Sequence, residues 1–306
     1  EMRREGVAQG MQPELLLGPG GLNTLVKKAG DLTRRQMQPL AAALYGGGRS
    51  EAFIGEWLVT RGAEVRDAIV IATKTFNPMD EGLDHGLGRK RIHRQLESSL
   101  ARLGVERVTL YLAHDFDPDT PQEETLQAFD ELRRAGKIAA AGASNFTGEQ
   151  LAEALELAEL EGLGRYEWVQ NGFSLLEQGD RETVFPVCHE HHLGYTPFSP
   201  LAGGWLTGKY RRGAAAPHGS RMTLRPEPYG AYQSDRVFDA LERFEQEAAG
   251  RGVSMAGLAL AWALAVSEVT AVVIGPSRVE HLAPAAEAAG IVLSPAERDR
   301  LTEVFE

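Results

Sequence analysis

The sequence predicts a parallel α/β protein closed into a (β/α)8 TIM barrel, a single domain over residues 1–306 whose first β/α unit is incomplete or rebuilt. Three observations lead there. Short continuous apolar runs recur along the chain, as in strands buried on both faces of a parallel sheet, and each is followed by a stretch of helical spacing. The alternation is even and the composition does not shift, which favours one closed domain over an open, doubly wound sheet. The length of 306 residues suits one barrel.

Taken in order, the first sixty-odd residues are expected to supply two strands, but "DLTRRQMQPLAAAL" (Asp31–Leu44) reads as a first helix running straight into a glycine bend, and no good second strand is visible. "AIVIAT" (Ala68–Thr73) is the first clear strand. Arg89–Leu103 then places Ile92, Leu96, Ser99, Leu100 and Leu103 at helical spacing, and Gly104 stops it. Further strands are expected at Arg107–His114, Ile138–Ser144, Glu167–Gly172, Leu193–Ser199 and Thr270–Gly275. Helices are expected at Thr125–Ala135, Thr147–Leu160, Arg181–His191, Arg236–Gly250 and Ser254–Val266, with a last one through Ala289. The Gly-, Pro- and Arg-rich segment Trp205–Asp235 is too long for a plain connector and reads as a loop over a site.

Composition narrows the function. The chain is 43% hydrophobic and 25% charged, with a formal net charge of −11, which argues against phosphate-backbone binding and so against nucleic acid as a partner. "EMRREGVAQG" lacks the apolar core of a secretory signal, and "VSMAGLALAWALAVS" (Val253–Ser267) is too short to span a bilayer. With Cys188 the one cysteine, these features give the expectation of a cytoplasmic protein without a membrane partner, compatible with a homo-oligomer.

In a barrel, chemistry belongs to the C-terminal ends of the strands. Tyr45 stands at the lip of the glycine bend, Lys74 ends one strand and His114 the next. Ser144 with Asn145, Gln170 with Asn171, and Phe198 with Ser199 end the following three, and Gly275, Pro276, Ser277 and Arg278 end the last. Singly, each has a plainer role: a lysine reaching for water, a structural histidine, a Ser-Asn helix cap. Their coincidence at one end favours an active site. A phenol is a competent acid at neutral pH only beside a cation, which Lys74 would supply, while His114 could orient the same oxygen. An amide row with Phe198 would suit a flat carboxamide ring. Two distractors carry less weight. Gly18, Gly20 and Gly21 lack the third glycine of a dinucleotide fingerprint, and Cys188 with His192 lacks a second metal-ligand cluster.

These residues resemble the aldo-keto reductases. The resemblance rests on "YGGGRSE" (45–51), "IATK" (71–74), "SSLARLG" (98–104), "LYLAHDFDPDTP" (110–121) and "LRRAGKIAAAGASNF" (132–146). "VQNGFSLLE" (169–177), "GYTPFSPLAGGWLTGKY" (194–210) and "VVIGPSRVEHL" (272–282) continue it. It implies a barrel that reduces an aldehyde or ketone, its small-molecule substrate, with NADPH. On that implication Tyr45 donates the proton, Lys74 lowers its pKa and His114 positions the carbonyl. Ser144, Asn145 and Gln170 would hold the carboxamide, with Phe198 stacked on the ring. Ser199, Leu201, Gly203, Lys209 and Arg221 would line the pyrophosphate; Gly275, Ser277 and Arg278 would face the adenosine 2′-phosphate.

Two departures qualify the match. The family carries an Asp before its tyrosine, where this chain has Leu40, Ala41, Ala42, Ala43 and Leu44. At the adenine end this chain has His281, Pro284 and Ala285. The first departure motivates an alternative: an NADP(H)-binding sensor or scaffold of the same fold, with little or no catalysis.

Overall fold

The computed structural model describes residues 41–42, 48–78, 84–276 and 278–306. They fall into two compact units. The first runs to Asn171 and takes in Asp180–Thr196; the second is Gly172–Gly179 with Pro197–Glu306.

The first unit contains β1 (Ala41–Ala42), α1 (Arg49–Val59), α2 (Ala63–Ala68), β2 (Ile71–Thr75), α3 (Arg89–Leu103) and β3 (Val108–Ala113). It continues through α4 (Gln122–Arg134), β4 (Ile138–Ser144), α5 (Gly148–Leu160), β5 (Tyr166–Gln170), α6 (Asp180–Glu190) and β6 (Gly194–Tyr195). The strands form one six-stranded sheet in chain order, every neighbouring pair parallel. Local chemistry fixes the helices between them. α3 buries Ile92, Leu96, Leu100 and Leu103 and ends on Gly104, whose φ of 64° is left-handed. α5 opens on a capping box between Thr147 and Gln150, a feature worth about 1 kcal/mol.

The helix expected over Asp31–Leu44 is corrected at its end. Ala41 and Ala42 are extended and pair with Ile71 and Ala72. Alanine's helix preference is at most about 0.7 kcal/mol per residue over ordinary residues, and ladder pairing outweighs it. The rest of that stretch lies outside the described residues.

Side-chain parity decides where the polar residues go, because alternate residues of a strand share a face. In register, Ala72 pairs with Leu110, Leu110 with Ala140, and Gly142 with Trp168. Ala72, Leu110, Leu112 and Trp168 pack into one apolar cluster with Ala140. Gly142 is required there, since a Cβ would stand 2.8 Å from the Trp168 carbonyl oxygen and 3.2 Å from the Leu112 side chain. Two residues further along each strand, the same face presents Lys74, Ser144 and Gln170, with His114 next after β3. Odd-numbered residues turn to the helices: Thr73 donates to Glu51 at 2.6 Å, and the Tyr111 hydroxyl to the Ile92 carbonyl at 3.2 Å.

The second unit holds α7 (Arg221–Leu224), α8 (Asp235–Gly250), α9 (Met255–Ala265), α10 (Ala283–Gly290) and α11 (Pro295–Glu303), with 3-10 turns at Ala202–Thr207, Glu227–Tyr232 and Val279–Leu282. Every residue of α9 from Met255 to Ala263 is buried, as its all-round apolar sequence requires. Trp262 stacks on Phe173 with ring centroids 5.3 Å apart and donates its indole N–H to Thr302. Among the described residues no single helix is long and apolar enough to cross a membrane.

Two expected strands are corrected. Thr270–Gly275 forms no strand; Val273 donates one backbone bond, to Pro197, at 2.9 Å. Its apolar side chains Val272 and Ile274 instead pack with Leu260, Ala261, Ala285 and Ala288 of α9 and α10. An apolar run reports burial, and helices can bury it as well as a sheet does. Leu193–Ser199 shortens to Gly194–Tyr195, because Pro197 has no N–H for a ladder and Ser199 has a left-handed φ of 53°.

Candidate active site

In the first unit four consecutive strand ends converge on one polar group. Lys74 is buried, and its ammonium donates to the Ser144 hydroxyl at 2.9 Å. Ser144, fully buried, donates its own hydroxyl hydrogen bond to the Gln170 main-chain carbonyl at 2.6 Å. The hydroxyl is thus held as acceptor on one side and donor on the other. Burial lowers the Lys74 pKa to about 7, against a smaller upward pull from the Asp115 carboxylate.

His114 follows β3 directly. Its N–H donates to the Thr75 carbonyl at 2.8 Å, and its own carbonyl accepts from the Asn145 side chain at 2.8 Å. Asn145 holds a φ of 61°, which asparagine tolerates better than most residues. Its N–H reaches the Asn171 side chain, which donates in turn to the Phe146 carbonyl at 2.9 Å. Burial, and secondly the Lys74 charge, lower the His114 pKa to about 4. The imidazole is therefore neutral at pH 7.

Gln170 is buried, and among the described residues its side-chain nitrogen has no hydrogen-bond partner. An unsatisfied buried amide costs about 1–3 kcal/mol, so the atom is suited to a ligand that accepts from it. Lys74, His114, Ser144, Asn145 and Gln170 are thus brought together in the structure. Tyr45 and Ser277 lie outside the described residues.

The second unit presents its expected residues differently. Ser199, Ala202, Gly203 and Gly204 have φ of 53°, 48°, 63° and 97°, four left-handed residues within one bend, with Leu201 between them at φ −103°. Lys209 lies against Gly204, where a Cβ would meet its ammonium. Leu201 packs its side chain against the apolar cluster of α9 and α10, and its carbonyl accepts from the Gly204 N–H at 2.8 Å and the Leu206 N–H at 3.3 Å. Arg221 is exposed at the start of α7, which packs on the Ala202–Thr207 turn. The Phe198 carbonyl accepts from the Phe173 N–H at 3.3 Å, and Gly275 and Arg278 are exposed.

Three residues escaped the sequence reading. Glu51, fully buried, ties Thr73 to Arg102, the latter at 2.5 Å. By parity it lies on the other face of β2 from Lys74, so it does not replace the missing aspartate. Arg91, also buried, donates to Thr75, Gly86, Asn77 and Asp84. Asn77 sits against His114. A signal existed for Arg91: with Gln95 and Ser99 it makes a polar stripe at i, i+4, i+8 beside the apolar face of α3.

The site therefore belongs to a parallel α/β protein with its titratable groups gathered at strand C-terminal ends. The profile of the Aldo/keto reductase family matches residues 41–306. An uncharacterized oxidoreductase, YrpG, of Bacillus subtilis (strain 168) is 34% identical over 273 residues, 86% of this chain and 81% of the relative. A probable voltage-gated potassium channel subunit beta of Arabidopsis thaliana is 32% identical over 270 residues, covering 87% and 82%. An L-glyceraldehyde 3-phosphate reductase of Escherichia coli is 32% identical over 247 residues, covering 77% and 69%. The chain belongs to the aldo/keto reductase family, oxidoreductases whose fold is the (β/α)8 barrel.

Proposed function

We propose that the protein reduces an aldehyde or ketone to an alcohol with NADPH. The observation that carries this reading is the buried Lys74 tied to Ser144 at 2.9 Å, on the sheet face that also presents His114 and Gln170. NADPH, when bound, supplies the hydride for the carbonyl carbon. The unpartnered Gln170 amide nitrogen fits a carboxamide, with Ser144 and Asn145 beside it. Tyr45 gives the proton to the carbonyl oxygen. Lys74 makes the phenol acidic enough to do so while it holds its own proton. His114, neutral, offers a ring N–H to the same oxygen. In the second unit the bend with left-handed Ser199, Ala202, Gly203 and Gly204, together with Lys209 and Arg221, suits the phosphates. Ser277 and Arg278 are assigned to the 2′-phosphate, and Phe198 to the nicotinamide.

The test is NADPH consumption with a panel of aldehydes and ketones. Turnover that Tyr45→Phe abolishes is expected; none at high enzyme with every substrate overturns the reading. The likeness to a potassium channel beta subunit favours a second one, cofactor binding without catalysis. NADPH quenching of tryptophan fluorescence with no turnover would support it.

A further inference from the structure

Asn77 lies two residues beyond β2, in the loop that leads to α3. Its side-chain nitrogen stands 2.8 Å from His114 Nδ1. A carboxamide nitrogen carries two hydrogens and no available lone pair, so it can only donate to that ring atom. A neutral imidazole that accepts at Nδ1 carries its proton on Nε2. We infer that Asn77 is a positioning residue, whose amide holds His114 in the Nε2–H form that can donate to a substrate oxygen.

The surroundings make this a built arrangement. Arg91, a buried cation, donates to the Asn77 carbonyl at 2.8 Å and the Thr75 hydroxyl at 3.0 Å. It also donates to the Gly86 carbonyl at 2.9 Å, and Gly86 N–H returns to the Phe76 carbonyl at 2.9 Å. Between Thr75 and Asn77 the backbone passes through Phe76 at φ 142°, a conformation that a bulky side chain adopts only under strain. The strain is held by these bonds, and its result is an amide aimed at the ring. His114 itself is fixed through both main-chain groups, by Thr75 and Asn145, so the ring nitrogen meets Asn77 at a set distance. A hydrogen bond at one ring nitrogen of histidine selects which of the two carries the proton.

The inference rests on the reductase reading for the use of the proton, but not for its placement. Long-range proton–nitrogen NMR of the full chain, labelled with 15N-histidine and assigned against His114→Gln, reads the tautomer without any turnover. The expected wild-type signature is a protonated Nε2 and a bare Nδ1. Asn77→Asp offers only acceptors and should bring a proton to Nδ1; Asn77→Ala should leave a mixture. The Asn77 side chain is exposed and Arg91 holds its backbone, so both variants should fold, which thermal unfolding checks. A wild-type ring protonated at Nδ1, or a ring signature unmoved in Asn77→Asp, overturns the inference. In activity, Asn77→Asp should lower kcat by on the order of 10²-fold with little change in the KM for NADPH. An inverted tautomer with full kcat would overturn the role given to His114 in the reaction and leave the assignment of Asn77 standing.

Discussion

The strand ends of the first unit carry their polarity on side chains; the glycine-rich bend of the second carries it on backbone. At the strand ends a parallel sheet fixes each Cα, so Lys74, Ser144 and Gln170 need only the right parity to meet, and hydrogen bonds of 2.9 and 2.6 Å lock them. From Ser199 to Gly204 there is no ladder, and shape comes from four residues of positive φ, two of them glycines. A side-chain site tolerates exchange of its neighbours but not of its members. A backbone site is limited at its glycines, where a Cβ on Gly203 would meet the Tyr229 ring and one on Gly204 the Lys209 side chain. The first arrangement suits proton transfer, where one atom must be placed; the second suits gripping a large polar group along several bonds.

The comparison predicts that changes in the first unit fall on kcat and changes in the second on cofactor binding. The largest effect is expected from Lys74→Met. It should lower kcat by about 10²–10⁴-fold while NADPH affinity, read by tryptophan fluorescence, moves far less. The same variant has a stability signature. Burial holds the folded pKa near 7, below the ordinary 10.5, so the stability tied to this group is full above 10.5 and is lost as pH falls through about 7. Urea unfolding should therefore show Lys74→Met gaining on the wild type between pH 9 and pH 6. A constant difference across that range would mean that Lys74 is not desolvated.

Next comes Arg91→Met, which strands the Thr75 hydroxyl and the carbonyls of Asn77, Asp84 and Gly86. It should cost about 3–5 kcal/mol by chemical denaturation, close to what loss of a buried ionic partner costs. Gly203→Ala is expected to matter less. Its φ of 63° and the Tyr229 ring, 2.6 Å from an added Cβ, predict about 1–3 kcal/mol and a raised KM for NADPH with kcat kept. Were kcat to fall instead, the contrast between the two regions would break. The smallest effect is assigned to Arg212→Ala. Arg212 pairs with Asp235, Asp239 and Glu242 at the surface, where water and salt screen the charges, so the loss in urea unfolding should be small and should shrink in 1 M salt.

Much of the candidate site was legible because it lies on strands whose ends can be counted. Lys74, His114 and Ser144 close apolar runs in the sequence, and the run Ile138–Ser144 coincides with β4 residue for residue. Asn77 and Arg91 were not legible in the same way. One is a loop amide, the other a charge on an otherwise ordinary helix, and each gains its meaning from a partner on another element. Ala41–Ala42 reads as helix from the sequence because two alanines carry no strand pattern until Ile71 and Ala72 stand beside them. Thr270–Gly275 reads as a strand from the sequence and forms none, because apolarity does not say whether a helix or a strand will cover it.

What the chain settled alone is the order of elements and the residues that end each strand. These follow from periods of 2 and 3.6 and from glycine stops, which are local properties of consecutive residues. The fold settled which polar atoms pair: Lys74 with Ser144 across 70 positions, Asn77 with His114 across 37, Thr73 with Glu51 across 22. Such pairings depend on distances between elements, and those distances exist only once burial of the apolar faces has fixed the strands and helices against one another.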